Sequence, residues 1–144
     1  MKKFKFKLSP LKKIKEIEKL KIEQKLARVL EEIQKREREI EFNLQDIRNL
    51  ITSASAKTSI NLLFGENRIE SRKNNIRILK DEIKKYELLK DEILKTLVKC
   101  EREIDKLDEI YENELKQFKK HLSKKEQEGI EENFMNTLDT ENKF

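Results

Sequence analysis

The feature that most constrains this chain is a stripe from Ile69 to Phe118. Stepping alternately three and four residues gives Ile69, Arg72, Ile76, Leu79, Ile83, Tyr86, Lys90, Ile93, Leu97, Cys100, Ile104, Leu107, Tyr111, Glu114 and Phe118. Twelve of these fifteen positions are apolar or tyrosine, while the residues between them are mostly Lys, Glu, Asp and Arg. A stripe that repeats every 3.5 residues is too narrow for a helix buried in a thick core and suits a coiled-coil seam. One helix cannot bury its own seam, so the rest of the chain must supply a partner.

A second stripe meets that need. Ile22, Leu26, Val29, Ile33, Arg36, Ile40, Asn43, Ile47 and Leu50 follow the same alternation, and Leu11, Ile14, Ile17 and Leu20 lead into it. Charged residues make up 44% of the 144, with two glycines, one proline and no tryptophan. That composition cannot fill a multilayer core and belongs to long, charged helices. Disorder is the competing reading of so polar a chain. Sustained heptad phase argues against it.

The expected fold is therefore all-α: two long helices in an antiparallel coiled-coil hairpin, with a short C-terminal helix, as a single domain over 1–144. Residues 1–9 form a basic aromatic segment in which Phe4, Phe6 and Leu8 alternate with lysines. Alternation suggests an extended segment, while Phe4, Leu8 and Leu11 also fit a helical face, so both conformations stay open. Ser9 as a cap and Pro10 in the first turn start helix 1, residues 10–51.

Residues 52–67 are read as the hairpin tip. The run TSASAKTS over 52–59 weakens a helix, and Gly65 offers the positive φ of a tight reversal. Asn67 and Glu70 resemble a capping box restarting helix 2 over 68–121. Leu62, Leu63 and Phe64 fall at this tip, as a local plug or as an exposed docking patch. Ser123 and Glu126 resemble another capping box, which places a break near Leu122 and a short acidic helix and tail over 122–144, fraying from 139. Arg36, Asn43, Arg72, Lys90 and Glu114 interrupt the seams, and buried polar groups at such positions fix register at some cost in stability.

The chemistry of catalysis is missing from this pattern. Neither glycine lies in a phosphate-binding loop, His121 has no metal-ligand companions, and the carboxylates alternate with lysines on solvated faces. The expectation is a binding protein rather than an enzyme, with no cofactor. Cys100, the only cysteine, sits on the seam as a small apolar group, and a lone thiol fits a reducing compartment. No run of about 20 apolar residues is present, and the basic N-terminus lacks the apolar stretch of a secretory signal.

Charge separates the ends. Ten lysines against three glutamates leave residues 1–25 at +7, whereas six acids against one lysine leave 126–144 at −5. The basic segment has the electrostatic footprint of a nucleic-acid binder, with Phe4 and Phe6 available for stacking. An acidic tail folded beside these lysines would neutralise them, which weighs against direct nucleic-acid binding. A self-associating structural coiled coil, its seams paired between molecules, is the other alternative.

The opening residues Phe4, Phe6, Leu8 and Leu11, followed by a lysine-rich turn and Glu18, resemble the start of the FliJ family of flagellar export proteins. The segment from Leu122 through Glu126, Gln127, Glu131 and Glu132 is similar to that family's closing pattern, with Gly129 and Glu131 as departures from it. The resemblance implies a component of the flagellar type III protein export apparatus. Such a protein is a monomeric coiled-coil stalk, cytoplasmic and peripheral to the inner membrane at the flagellar basal body. It binds and stimulates the export ATPase hexamer, links it to the membrane export gate protein and assists export chaperones and their substrates. On this chain the resemblance makes Phe4, Phe6, Leu8, Leu11, Glu126, Gln127, Glu131 and Glu132 candidates for the ATPase contact. Leu62, Leu63 and Phe64 are candidates for a gate-facing tip on their position alone.

Overall fold

The computed structural model describes residues 3–53 and 59–142, and the side chains of 3–53 and 63–137. Two helices account for almost all of it, α1 (Ser9–Ser53) and α2 (Ser59–Asn142), and no strand occurs among the described residues. The chain groups into two compact units. One joins Met1–Ile17 to Cys100–Phe144, and the other is Glu18–Lys99.

In the Glu18–Lys99 unit the helices pack antiparallel. Arg36 pairs with Glu82 and Asp46 pairs with Arg72, so position numbers fall on α2 as they rise on α1. Val29, Ile33 and Ile47 are buried on α1, and Ile76 and Leu79 on α2. Every position of the seam from Ile22 to Leu50 is buried or half-buried, as is every α2 seam position from Ile69 to Leu97. No side chain is completely enclosed among those described, because a pair of helices covers each seam residue from one direction only.

Two polar layers cross this seam. Asn43 is buried; its amide donates to the Glu39 carbonyl at 2.9 Å and its oxygen accepts from Arg72 Nη1 at 3.2 Å. Arg72 Nε also donates to Asp46 at 2.8 Å, and Arg68 reaches the other oxygen of that carboxylate at 3.1 Å. In the second layer Arg36 bonds Glu32 on its own helix and Glu82 across the seam, and its guanidinium lies 4.5 Å from the Tyr86 ring centroid. The hydrogen bond from Arg36 holds the Glu32 carboxyl below the usual carboxylate range. Glu32 and Glu82 together hold the Arg36 guanidinium more firmly charged than usual. Arg36, Asn43 and Arg72 thus match complementary groups on both helices, as expected of residues that fix register.

The unit of 3–17 and 100–142 is antiparallel too, with Lys12 on Asp108 and Lys15 on Glu103, both at 2.6 Å. Cys100 and Leu107 are buried, and the Cys100 Sγ donates to the Lys15 carbonyl at 3.5 Å. Here the expected lead-in is corrected, since Leu11, Ile14 and Ile17 are exposed. Three-residue steps fall 60° short of a full turn each time, so that row winds off the contact face. The row that keeps the alternation is Leu8, Lys12 and Lys15, all half-buried. Lysine serves there because its methylene stem packs against the neighbouring helix while its ammonium reaches an acid at the edge.

Three boundaries differ from expectation. The amide of Lys12 donates to the Leu8 carbonyl at 2.9 Å, so the helical ladder opens at Leu8 and keeps Pro10 in the first turn, where no N–H is needed. α2 starts at Ser59, which puts Gly65 and Asn67 inside the helix, and no glycine among the described residues has positive φ. The connection over 54–58 lies outside the described residues. There is also no separate C-terminal helix, because α2 continues through Leu122, Ser123 and Gly129 to Asn142. A glycine in a helix costs about 1 kcal/mol, less than ending and renucleating a helix. The expected fraying from 139 meets a backbone that is helical to Asn142, and residues 143–144 lie outside the described residues.

Candidate partner-binding surface

The N-terminal segment over 3–6 is extended, and residues 7 and 8 turn into α1. Alternation therefore resolves as an extended segment, with Phe4, Phe6 and Leu8 half-buried and Lys3, Lys5 and Lys7 exposed. The Phe4 ring centroid lies 5.5 Å from that of Tyr111 and 5.4 Å from that of Phe118. Phe6 meets Tyr111 edge to face at 5.3 Å. These spacings and inclined planes are those in which aromatic quadrupoles attract. The result is a clamp, with Tyr111 held between two rings of the N-terminal segment.

Lys12 and Lys15 extend the clamp by one and two turns of α1. The hydrogen bond from Lys12 to Asp108 raises the lysine's pKa above its ordinary value. A raised lysine contributes stability below its unfolded pKa and loses it as pH climbs through the folded one, so the pair holds throughout the neutral range.

Beyond Phe118, α2 continues as an overhang. Glu126, Gln127, Glu131 and Glu132 are all exposed on it. Ile130, Phe134 and Met135 lie among them at 69%, 64% and 67% exposure. Large apolar side chains this exposed and interleaved with acids are typical of surfaces that meet another molecule. A shallow depression lies beside Glu131, Glu132 and Met135.

The eight residues matched to the terminal patterns thus divide into two groups. Phe4 and Phe6 are brought together, but against α2 of the same chain, while Leu8 is half-buried and Leu11 is exposed. Glu126, Gln127, Glu131 and Glu132 lie on the overhang, further along α2 than the Phe118 contact. The acidic segment does not fold back beside the N-terminal lysines, because the helix carries it onward. At the start of α2, Leu63 and Phe64 are exposed, whereas the side chain of Leu62 lies outside the described residues. They occupy the first turns of a helix rather than a reversal.

Sequence reasoning passed over Ile130, Phe134 and Met135. Their signal is a change of phase, since Ile130 and Phe134 are four apart and share a helix face that the preceding seam does not use. Among the described residues, no group of three or more His, Cys, Asp or Glu could hold a metal ion. No helix among them is long and apolar enough to cross a membrane. Comparison of the chain with family models, with curated proteins and with solved structures finds no match.

Proposed function

We propose that this chain is a coiled-coil stalk of a flagellar type III export apparatus, a cytoplasmic protein that binds and stimulates the export ATPase ring. The proposal starts from the resemblance of both ends to the FliJ family. The observation that carries it furthest is the α2 overhang, where Glu126, Gln127, Glu131 and Glu132 are exposed beside Ile130, Phe134 and Met135. Apolar anchors rimmed by charge are what a partner surface needs for both affinity and orientation.

On this reading the two terminal patterns have different roles. The overhang makes the contact with the ring. Phe4 and Phe6, with their rings packed on Tyr111 and Phe118, hold α1 onto the base of the overhang and so position it. Contacts that differ between ring subunits in different nucleotide states would bias those states, which is how a binding partner without catalytic groups raises an ATPase rate. Links to the export gate, with Leu63 and Phe64 as candidate contacts, and to export chaperones complete the proposal.

The same packing disfavours a nucleic-acid function, since rings engaged with Tyr111 and Phe118 are not free to stack on bases. The test is ATP hydrolysis by a purified flagellar export ATPase, with the full chain or a chain lacking residues 124–144. The full chain should stimulate hydrolysis and the truncated one should not, with mean residue helicity near that of the parent. Equal stimulation by both would refute the assignment.

A further inference from the structure

We infer that residues 3–17 form a latch that leaves α2 in a single step, apart from global unfolding, and so uncovers the apolar stripe of Cys100, Ile104, Leu107, Tyr111 and Phe118. The inference does not rest on the proposed role at an ATPase ring. Its starting point is an asymmetry in what each helix contributes. In the Glu18–Lys99 unit both helices supply buried apolar side chains, Val29, Ile33 and Ile47 from α1 and Ile76 and Leu79 from α2. In the other unit the buried side chains among the described residues are Cys100 and Leu107, both from α2, and none comes from 3–17. Lys12 and Lys15 occupy seam positions there, and their partners Asp108 and Glu103 are 48% and 37% exposed. Ion pairs this exposed contribute little.

The contacts are also graded along the segment in a way that favours release as a whole. The ring contacts of Phe4 and Phe6 with Tyr111 and Phe118 lie at its N-terminal end. At the other end the Cys100 thiol, a weak donor, reaches the Lys15 carbonyl at 3.5 Å. A helix end that is weakest at its tip frays residue by residue. Here the firmest contacts come first, so once the rings part, the exposed ion pairs and the thiol bond that remain are too weak to hold the rest. Release stops where burial from both helices begins, in the Glu18–Lys99 unit. Local cooperative opening of this kind, at a lower free energy than global unfolding, is expected of segments with few buried apolar contacts. Cys100 lies back along α2 from Phe118 by roughly 27 Å at 1.5 Å per residue, so its thiol reports whether release at the ring end reaches the far end.

The experiment is alkylation of the Cys100 thiol by N-ethylmaleimide in the native full chain, with rates taken relative to the denatured chain, alongside amide hydrogen exchange. In the parent the thiol should be less protected than the amides around Val29 and Ile33, because the latch opens while the Glu18–Lys99 unit stays folded. Phe4→Ala removes two of the ring contacts, with Tyr111 and with Phe118. It should raise the Cys100 rate about tenfold and lower protection of the Ser9 and Lys12 amides by the same factor, leaving Val29 and Ile33 unchanged. A thiol protected as strongly as the Val29 and Ile33 amides overturns the inference, since Cys100 would then react only through global unfolding. So does a Phe4→Ala chain in which Ser9 and Lys12 lose protection while the Cys100 rate stays at the parent's, which is fraying from the tip. A Phe4→Ala chain that matches the parent in both readouts overturns it as well, because the rings would not hold the latch.

Discussion

Replacing Tyr111 with alanine should release the N-terminal segment from α2 while leaving the Glu18–Lys99 unit intact. Tyr111 takes part in two of the three aromatic contacts, with Phe4 at 5.5 Å and with Phe6 at 5.3 Å. Each such pair contributes about 0.5–1.5 kcal/mol beyond the area it covers, and a half-buried ring gives up less on truncation than a core ring. The expected cost is about 2 kcal/mol, roughly a thirtyfold shift toward the undocked segment. Amide hydrogen exchange reads this directly, because the amides of Ser9 and Lys12, which donate to the Phe6 and Leu8 carbonyls, should lose protection by about that factor while amides around Val29 and Ile33 keep theirs. Tyr111→Phe retains both ring contacts and should behave as the parent. Unchanged exchange in Tyr111→Ala, or equal damage from Tyr111→Phe, would show that the rings do not hold the segment.

Further outcomes follow from individual residues. Gly65→Ala should raise thermal stability, by up to about 1 kcal/mol, because Gly65 is helical and an added Cβ would meet nothing within 4 Å; a drop in melting temperature would restore the turn at that position. Arg72→Ala removes the acceptor Asn43's charged partner and one of the two arginines on Asp46, and should cost about 2 kcal/mol in denaturant unfolding, whereas a surface ion pair would cost well under 1. Arg36 lowers the Glu32 carboxyl pKa, so that pair stabilises the fold above the unfolded glutamate value of about 4.3 and its contribution is lost as pH falls through the lower folded value. An NMR titration should place the Glu32 midpoint below that of a free glutamate, and Arg36→Leu should return it upward.

The seams were the most legible part of the sequence. Position by position, every residue of the α2 stripe and of the α1 stripe from Ile22 is buried or half-buried, because a two-helix contact has only one way to hide a 3.5-residue repeat. The polar interruptions at Arg36, Asn43 and Arg72 were legible as register devices. Their partners Glu32, Glu82 and Asp46 were not, since charged neighbours are abundant and the cross-helix alignment is a tertiary fact.

Lys12 and Lys15 were passed over because a lysine scores as polar although most of its length is hydrocarbon. Gly65, Asn67, Ser123 and Gly129 carry real local signals for turns and caps, but each is weaker than the cooperative preference of a long helix to continue. At the candidate site the aromatic alternation left the N-terminal segment open between an extended and a helical conformation, and it did not name the partner rings. Tyr111 and Phe118 had already been assigned to the seam, which they serve from the same face that receives Phe4.

The measurement that tests the central claim most directly is co-sedimentation of the full chain with a purified flagellar export ATPase hexamer, comparing the parent with an Ile130→Asp, Phe134→Asp double variant. The parent should sediment with the hexamer while the double variant, equally helical, stays in the supernatant. A parent chain that does not sediment with the hexamer, or a double variant that sediments as well as the parent, would contradict the account.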